Sequence, residues 1–303
     1  MRLRKVVIII LMILLSINLN ACKKYKAELQ TYTIDQAEEE NIEGINDILI
    51  DAHYLDINLV KTEGDKVKYN LYGKVELKGK NLNKENNNYI KIKSYSSKDK
   101  LFLKFNKDNS FQEYNNRNSL TLDIYIPTEY LNDISIISSS SNLKISNLNL
   151  NKLEIKCNSS NIEIENSNLK EFEGIFDAAV FSAKKLDAKK SFIEMTEGRV
   201  DFKEYVGNIE IYSKEAEVDI EYIEFKNNID IRNEKGSVNI ALPESSIFAL
   251  DARTNEGYVR CEFPIPKNEI SSDKGLKGVL RSDEYSIFVK NSKGNIRIKK
   301  LAE

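Results

Sequence analysis

Carboxylates return at near-regular steps along the C-terminal two thirds of this 303-residue chain. Glu154 and Glu173 are one such pair, and Glu210, Asp230 and Asp251 are a run of three. Brought onto adjacent turns of a coiled backbone, like charges of this kind repel and would invite a divalent cation. Bases stand two residues further along, at Lys156, Arg232, Arg253 and Lys290. The plainer expectation is therefore a solvated, ion-paired face. An acidic strip that takes a cation or a glycan is the sharper one. Arg232 and Arg253 beside Asp230 and Asp251 also approach the acid-and-base set of a β-helix polysaccharide lyase. Against catalysis, most turns between Ser140 and Pro243 are too short to wall a cleft, and tryptophan is absent.

Other chemistries find little support. The single histidine, His53, cannot make a zinc site, and no CxxC or HExxH spacing accompanies it. No GxSxG, phosphate-binding glycine loop or dinucleotide fingerprint occurs. Lys and Arg number 45 against 47 Asp and Glu, so no basic stripe argues for nucleic acid. No catalytic, metal or cofactor residue is expected.

The elements that must carry these side chains form a repeat. Ser140-Ser141-Asn142-Leu143-Lys144-Ile145 returns from Ser159, Ala178, Glu197, Glu215, Lys235, Glu256 and Lys293, at steps of 19, 19, 19, 18, 20, 21 and 37. The second residue is always small: Ser141, Ser160, Ala179, Gly198, Ala216, Gly236, Gly257 and Gly294. Small residues suit a tight corner. After it, apolar residues stand two apart, as in Val218 and Ile220, the period of a half-buried strand. A second pair precedes the corner, for example Ile229/Ile231. Ala183, Phe172/Gly174 and Ser191/Ile193 depart from the pattern. The unit is strand, corner, strand and polar turn. It implies an all-β fold, a single-stranded β-helix or β-solenoid with coils of about 19 residues. In sequence order, Glu210, Asp230 and Asp251 would then be rung neighbours.

The N-terminus carries its own chemistry. Arg2, Arg4 and Lys5 precede the apolar run Val6–Leu15, and Leu19-Asn20-Ala21-Cys22 is similar to the lipobox of bacterial lipoproteins. That likeness implies a signal peptide over 1–21 and diacylation of Cys22, hence an extracytoplasmic protein anchored to the membrane by lipid. Residues 22–44 read as a polar tether with room for an edge strand near Leu29–Ile34. Residues 45–303 read as one body, with irregular early coils over 45–130 and regular repeats over 131–300. Asn81–Asn88 and Lys107–Asn118 read as exposed loops. Cys157 and Cys261 lie roughly 26 Å apart at one rung per coil, too far to bridge. Two free thiols are expected, with Cys261 facing inward.

Glu234-Lys235-Gly236-Ser237-Val238-Asn239-Ile240-Ala241-Leu242-Pro243 and Asn291-Ser292-Lys293-Gly294-Asn295-Ile296-Arg297-Ile298 resemble the repeating elements of a bacterial family. Asp123-Ile124-Tyr125-Ile126-Pro127 is an earlier copy. The family is the "putative adhesin" domain of unknown function related to the head GIN domain. The resemblance spans Ile45 to Lys300; Ser160 and Ala179 stand where the family often has glycine. It implies a cell-surface β-helix without known catalytic residues, acting in adhesion or in envelope-stress regulation. The expected partner is a surface glycan or protein; in the regulatory alternative it is another membrane protein.

Overall fold

The computed structural model describes residues 29–78, 90–107, 112–113, 119–266 and 270–301. Expectations at 1–21, Cys22 and Asn81–Asn88 lie outside them, as does most of Lys107–Asn118. Within that last segment Gln112–Glu113 is a short strand, paired with Leu77 and Lys78.

The described chain is all-β, wound into one sheet of mostly parallel strands around a continuous apolar core. Alternation does the winding. Ile229 and Ile231 are buried and Asp230 between them is half-exposed; Val218 and Ile220 repeat the pattern. Parallel partners meet in register, Leu153 with Ile134 and with Phe172, and Val218 with Val238. Ser160–Tyr222 runs as strand without interruption, because the backbone turns its corners while keeping its ladder bonds.

Each regular coil has two corners. At the first, Ser140 and Ser159 adopt φ of 52°, while later coils place Gly198, Gly236, Gly257 and Gly294 at φ between 119° and 143°. Behind this corner sits a buried polar residue that donates to the corner carbonyl of its own or the neighbouring coil. Asn233 donates to the Gly236 carbonyl at 3.3 Å, and Thr254 donates to that of Gly294 at 2.9 Å. Asn291 donates to the Gly236 carbonyl at 2.7 Å. The second corner uses Asn147, Asn166, Lys185 and Glu204, all left-handed at φ of 48–59°.

The irregular repeats are compensated by neighbours. A Cβ on Gly174 would strike the Phe176 ring, which fills that space instead. Ser191 is buried and lies 2.8 Å from the Tyr205 hydroxyl. Ala183 is small beside the large Phe181 and Phe202, whose rings stand 5.2 Å apart. From Phe172 the rings continue through Phe181, Phe202, Tyr205, Tyr222, Phe225 and Phe248 to Phe263, each 4.7–6.2 Å from the next.

Stacking order departs from chain order at both ends. The strand Asp47–Asp51 lies between Lys100–Lys107 and Asp133–Ser139, so an early coil is slotted between two later ones. At the other end, Ser286–Lys293 lies between Ile229–Lys235 and Phe248–Glu256. Ile296–Lys300 likewise separates Val238–Leu242 from Val259–Cys261. The last coil of the chain is thus the penultimate coil of the stack.

Antiparallel strands close the two ends. Leu29–Asn41 pairs along Lys66–Lys78, which lies on Ser119–Pro127. Gly275–Leu280 covers Phe248–Glu256. Such caps leave fewer open ladder groups to recruit another chain. Within the stretch read as a polar tether, the edge strand expected near Leu29–Ile34 is longer, reaching Asn41. Residues 29–41 form a sheet strand, with Ile34 buried and Glu38 accepting a 2.6 Å hydrogen bond from Tyr69. A polar strand suffices there because only one of its faces meets the core. The early coils over 45–130 include one regular coil and the hairpin of Ile90–Ser97 with Lys100–Lys107.

Burial of ionisable groups predicts alkaline weakening. Burial holds the Tyr69, Tyr130, Tyr205 and Tyr222 phenols above their ordinary range and pushes the Cys157 and Cys261 thiols up to about 11. The unfolded chain releases these protons first, thiols near 9.0 and phenols near 10.0. Their contribution to stability is complete below about pH 9 and is lost as pH climbs through the raised values. The thermal midpoint should be level to about pH 8.5 and fall steadily beyond it. A level midpoint at about pH 10.5 would contradict this assignment.

Candidate functional site

The outward side chains of the stacked strands form columns, one residue per coil. On the face upstream of the first corner, Glu154 and Glu173 are rung neighbours, as expected from spacing. Lys152 lies 2.5 Å from Glu173 and 3.9 Å from Glu154, and Lys156 pairs with Glu154 as well. The hydrogen bond to Glu173 is the main reason that the Lys152 ammonium is held above its ordinary range. This part is an ion-paired face.

The second acidic run does not form as expected. Glu210 neighbours Asp230, but Phe288 then separates Asp230 from Asp251. The cause is the slotted last coil, which places Phe288 where an acid would have met an acid. Asp230 and Asp251 each bind a base on their own strand. Arg232 gives Nε and Nη2 to Asp230 at 3.2 and 3.0 Å, and Arg253 gives the same atoms to Asp251 at 2.7 and 2.8 Å. The same insertion sets Lys290 between Arg232 and Arg253. Among the described residues, no group of three or more His, Cys, Asp or Glu side chains could hold a metal ion.

Aromatic rings join this column. Arg232 lies over Tyr212 at 5.3 Å and over Phe288 at 5.6 Å, and Phe192 stands 5.9 Å from Tyr212. Phe192, Tyr212 and Phe288 are half-buried on an otherwise polar face. Tyr212 donates to Glu210 at 2.6 Å, which raises its phenol above the ordinary range. Depressions flank the rings. One of about 460 Å³ is lined by Tyr212, Lys214, Arg232 and Lys290, and one of about 540 Å³ by Glu210, Asp230 and Phe288.

The opposite face bears a groove of about 570 Å³ in its N-terminal half. Amides and carboxylates line it, bonded to one another and to Asp123 beside it. Asn161 donates to Asn142 at 2.9 Å, Asn142 to Asp56 at 2.7 Å, and Asn58 to Asp123 at 2.7 Å. Tyr72 and Val180 stand at its rim, 37% and 48% exposed. Spacing alone did not single these residues out. Asparagine at the third place of two successive repeats, Asn142 and Asn161, is the signal that would have found them.

His53 is half-exposed, its ring nitrogens 2.8 Å from Ser139 Oγ and 2.9 Å from Asp51 Oδ1. Cys157 and Cys261 are free thiols, as expected; Cys157 is buried and Cys261 packs partly buried against the core. Cys22, the one residue expected to be modified, lies outside the described residues.

A family model described as Toastrack DUF4097 matches residues 45–299. No curated protein matches the chain. Among solved structures, the chain is similar to a "putative adhesin" of Bacteroides fragilis, at 13% identity, covering 89% of this chain and 97% of that one, with a TM-score of 0.47. A "putative adhesin" of Parabacteroides distasonis shares 12% identity, covering 90% and 97%, at a TM-score of 0.42. A "putative lipid binding protein" of the same species shares 13%, covering 88% and 97%, at 0.41.

Proposed function

The chain belongs to the Toastrack DUF4097 family, and from that premise we propose a lipid-anchored, non-catalytic surface protein that presents its stacked coils to a glycan or protein outside the membrane. We read the body as a single-stranded solenoid with coils of about 19 residues. In-register hydrogen bonds between Ser141 and Ser160, and between Asp219 and Asn239, span 19 and 20 residues and support that reading. The observation that carries the functional reading is the division of labour in each coil. Most apolar and small residues are consumed by core and corners, while the outward columns are mostly polar, tethered by hydrogen bonds and shallowly hollowed. Such a surface suits recognition over many weak contacts, since fixed side chains lose little further freedom on binding.

The anchor rests on Cys22. Cells given radioactive palmitate should label the wild-type protein, and Cys22→Ser should carry no label and leave the membrane fraction. Absence of label on the wild type, or label kept by Cys22→Ser, removes the anchor. An array of cell-wall and host glycans, with binding sought on intact cells, tests the surface role. A product released from any polysaccharide would overturn the non-catalytic reading.

A further inference from the structure

The insertion of the last coil assembles a group of side chains that chain order keeps apart. Arg232, Lys290 and Arg253 occupy one column on three successive rungs, which parallel pairing spaces at about 4.8 Å. Like charges side by side at that spacing are unfavourable unless something neutralises them. Arg232 and Arg253 have Asp230 and Asp251. Lys290 does not, because the position two before it is Phe288. Among the described residues the Lys290 ammonium has no hydrogen-bond or ion-pair partner, and the side chain is exposed at the edge of the 460 Å³ depression.

The arginine beside it is already positioned. Arg232 commits Nε and Nη2 to Asp230 and rests on the rings of Tyr212 and Phe288, so its Nη1 donors are held uncommitted. A guanidinium edge and an ammonium on neighbouring rungs match the oxygens of a carboxylate. Half-buried rings beside them present flat apolar surface to the body of a ligand. Ser292 and Lys214 line the same depression and add hydrogen-bonding groups. Glu194 and Glu234 line it too, so the anion is held on the cation column and the hydroxyls of the ligand face these two acids. The ligand that meets all of these is anionic at intervals, ring-shaped between its charges and rich in hydroxyls.

We propose that the strip Tyr212–Arg232–Phe288–Lys290–Arg253 binds an acidic polysaccharide, a chain of uronic acid sugars lying along the solenoid axis with carboxylates on the cation column and sugar rings against the aromatics. The proposal deepens the surface-binding reading and rests on it. It also changes the chemistry expected of this face, from an ion-paired face or an acidic strip that takes a cation or a glycan, to a cation column that takes an acid.

Calorimetry on the full-length protein in detergent, with oligogalacturonate as probe, tests it. The wild type should bind the uronate and should neither bind a neutral dextran oligosaccharide nor take inorganic polyphosphate as tightly. Added salt should weaken the binding. Lys290→Glu should weaken it by about tenfold or more, and Phe288→Ala several-fold, with circular dichroism unchanged in both. The proposal fails if the wild type ignores the uronate, if Lys290→Glu binds it equally, or if polyphosphate binds as well, since charge alone would then explain the site. Surface labelling of intact cells is read separately. Uronate refusal by a displayed protein sinks this site and spares the surface role; uronate binding by a protein absent from the surface does the reverse.

Discussion

Replacing Gly198 by alanine should cost about 3–5 kcal/mol, among the largest losses available to a single methyl group in this chain. Gly198 turns the first corner of its coil at φ of 136°, a region L side chains rarely adopt. A Cβ there would overlap the carbonyl oxygen of Ala179 on the coil below. Both problems must be relieved by moving backbone, and the ladder bonds on either side resist that. Glu197→Ala, one residue earlier and exposed, should lie within about 0.5 kcal/mol of wild type. Guanidinium unfolding of the two variants makes the comparison. A Gly198→Ala midpoint indistinguishable from that of Glu197→Ala would mean the corner is looser than described.

The second large effect concerns stacking order. A chain ending at Asp283 lacks Ser286–Lys293 and Ile296–Lys300. It thereby loses Ile287, Val289, Ile296 and Ile298, each at most 1% exposed. At about 1.5–3 kcal/mol per buried aliphatic side chain the loss approaches the whole stability of a domain. In a stack it is felt locally. Because the missing coil lies between two others, Phe248–Glu256 loses its parallel partner and Ile229–Lys235 gains an open edge. Hydrogen exchange should show amides of 248–261 fully unprotected and those of 229–242 weakened, with 149–222 little changed. Were the last coil simply the end of the pile, 248–261 would keep its protection.

The scaffold was legible because its first corner has a constant chemistry. Small residues from Ser141 to Gly294 return in step, and the apolar pairs around them, such as Val238 and Ile240, are buried as alternation requires. The family was legible from the same phrases. The second corner was hidden, since Asn147, Asn166, Lys185 and Glu204 share a backbone conformation and no side-chain type. The buried residues behind the first corner also leave a signal in the sequence: Asn233, Thr254 and Asn291 each stand three places before a corner glycine.

Rung order was not legible at all. Residues 248–261 and 286–300 both read as ordinary coils, and nothing in either says which lies nearer the 229–242 coil. That choice is made by long-range pairing and by the antiparallel cap of Gly275–Leu280. It decides the surface, because it alone sets Phe288 between Asp230 and Asp251 and Lys290 between two arginines.

Cysteine cross-linking at those positions is the most direct measurement of that order. Rung neighbours at about 4.8 Å lie within disulfide reach, and residues two rungs apart lie beyond it. In a background with Cys157 and Cys261 replaced by alanine, Arg232→Cys with Lys290→Cys should oxidise to a disulfide, as should Arg253→Cys with Lys290→Cys. Arg232→Cys with Arg253→Cys should remain two thiols. A disulfide between positions 232 and 253, with none to 290, would put the coils in chain order and dissolve the cation column.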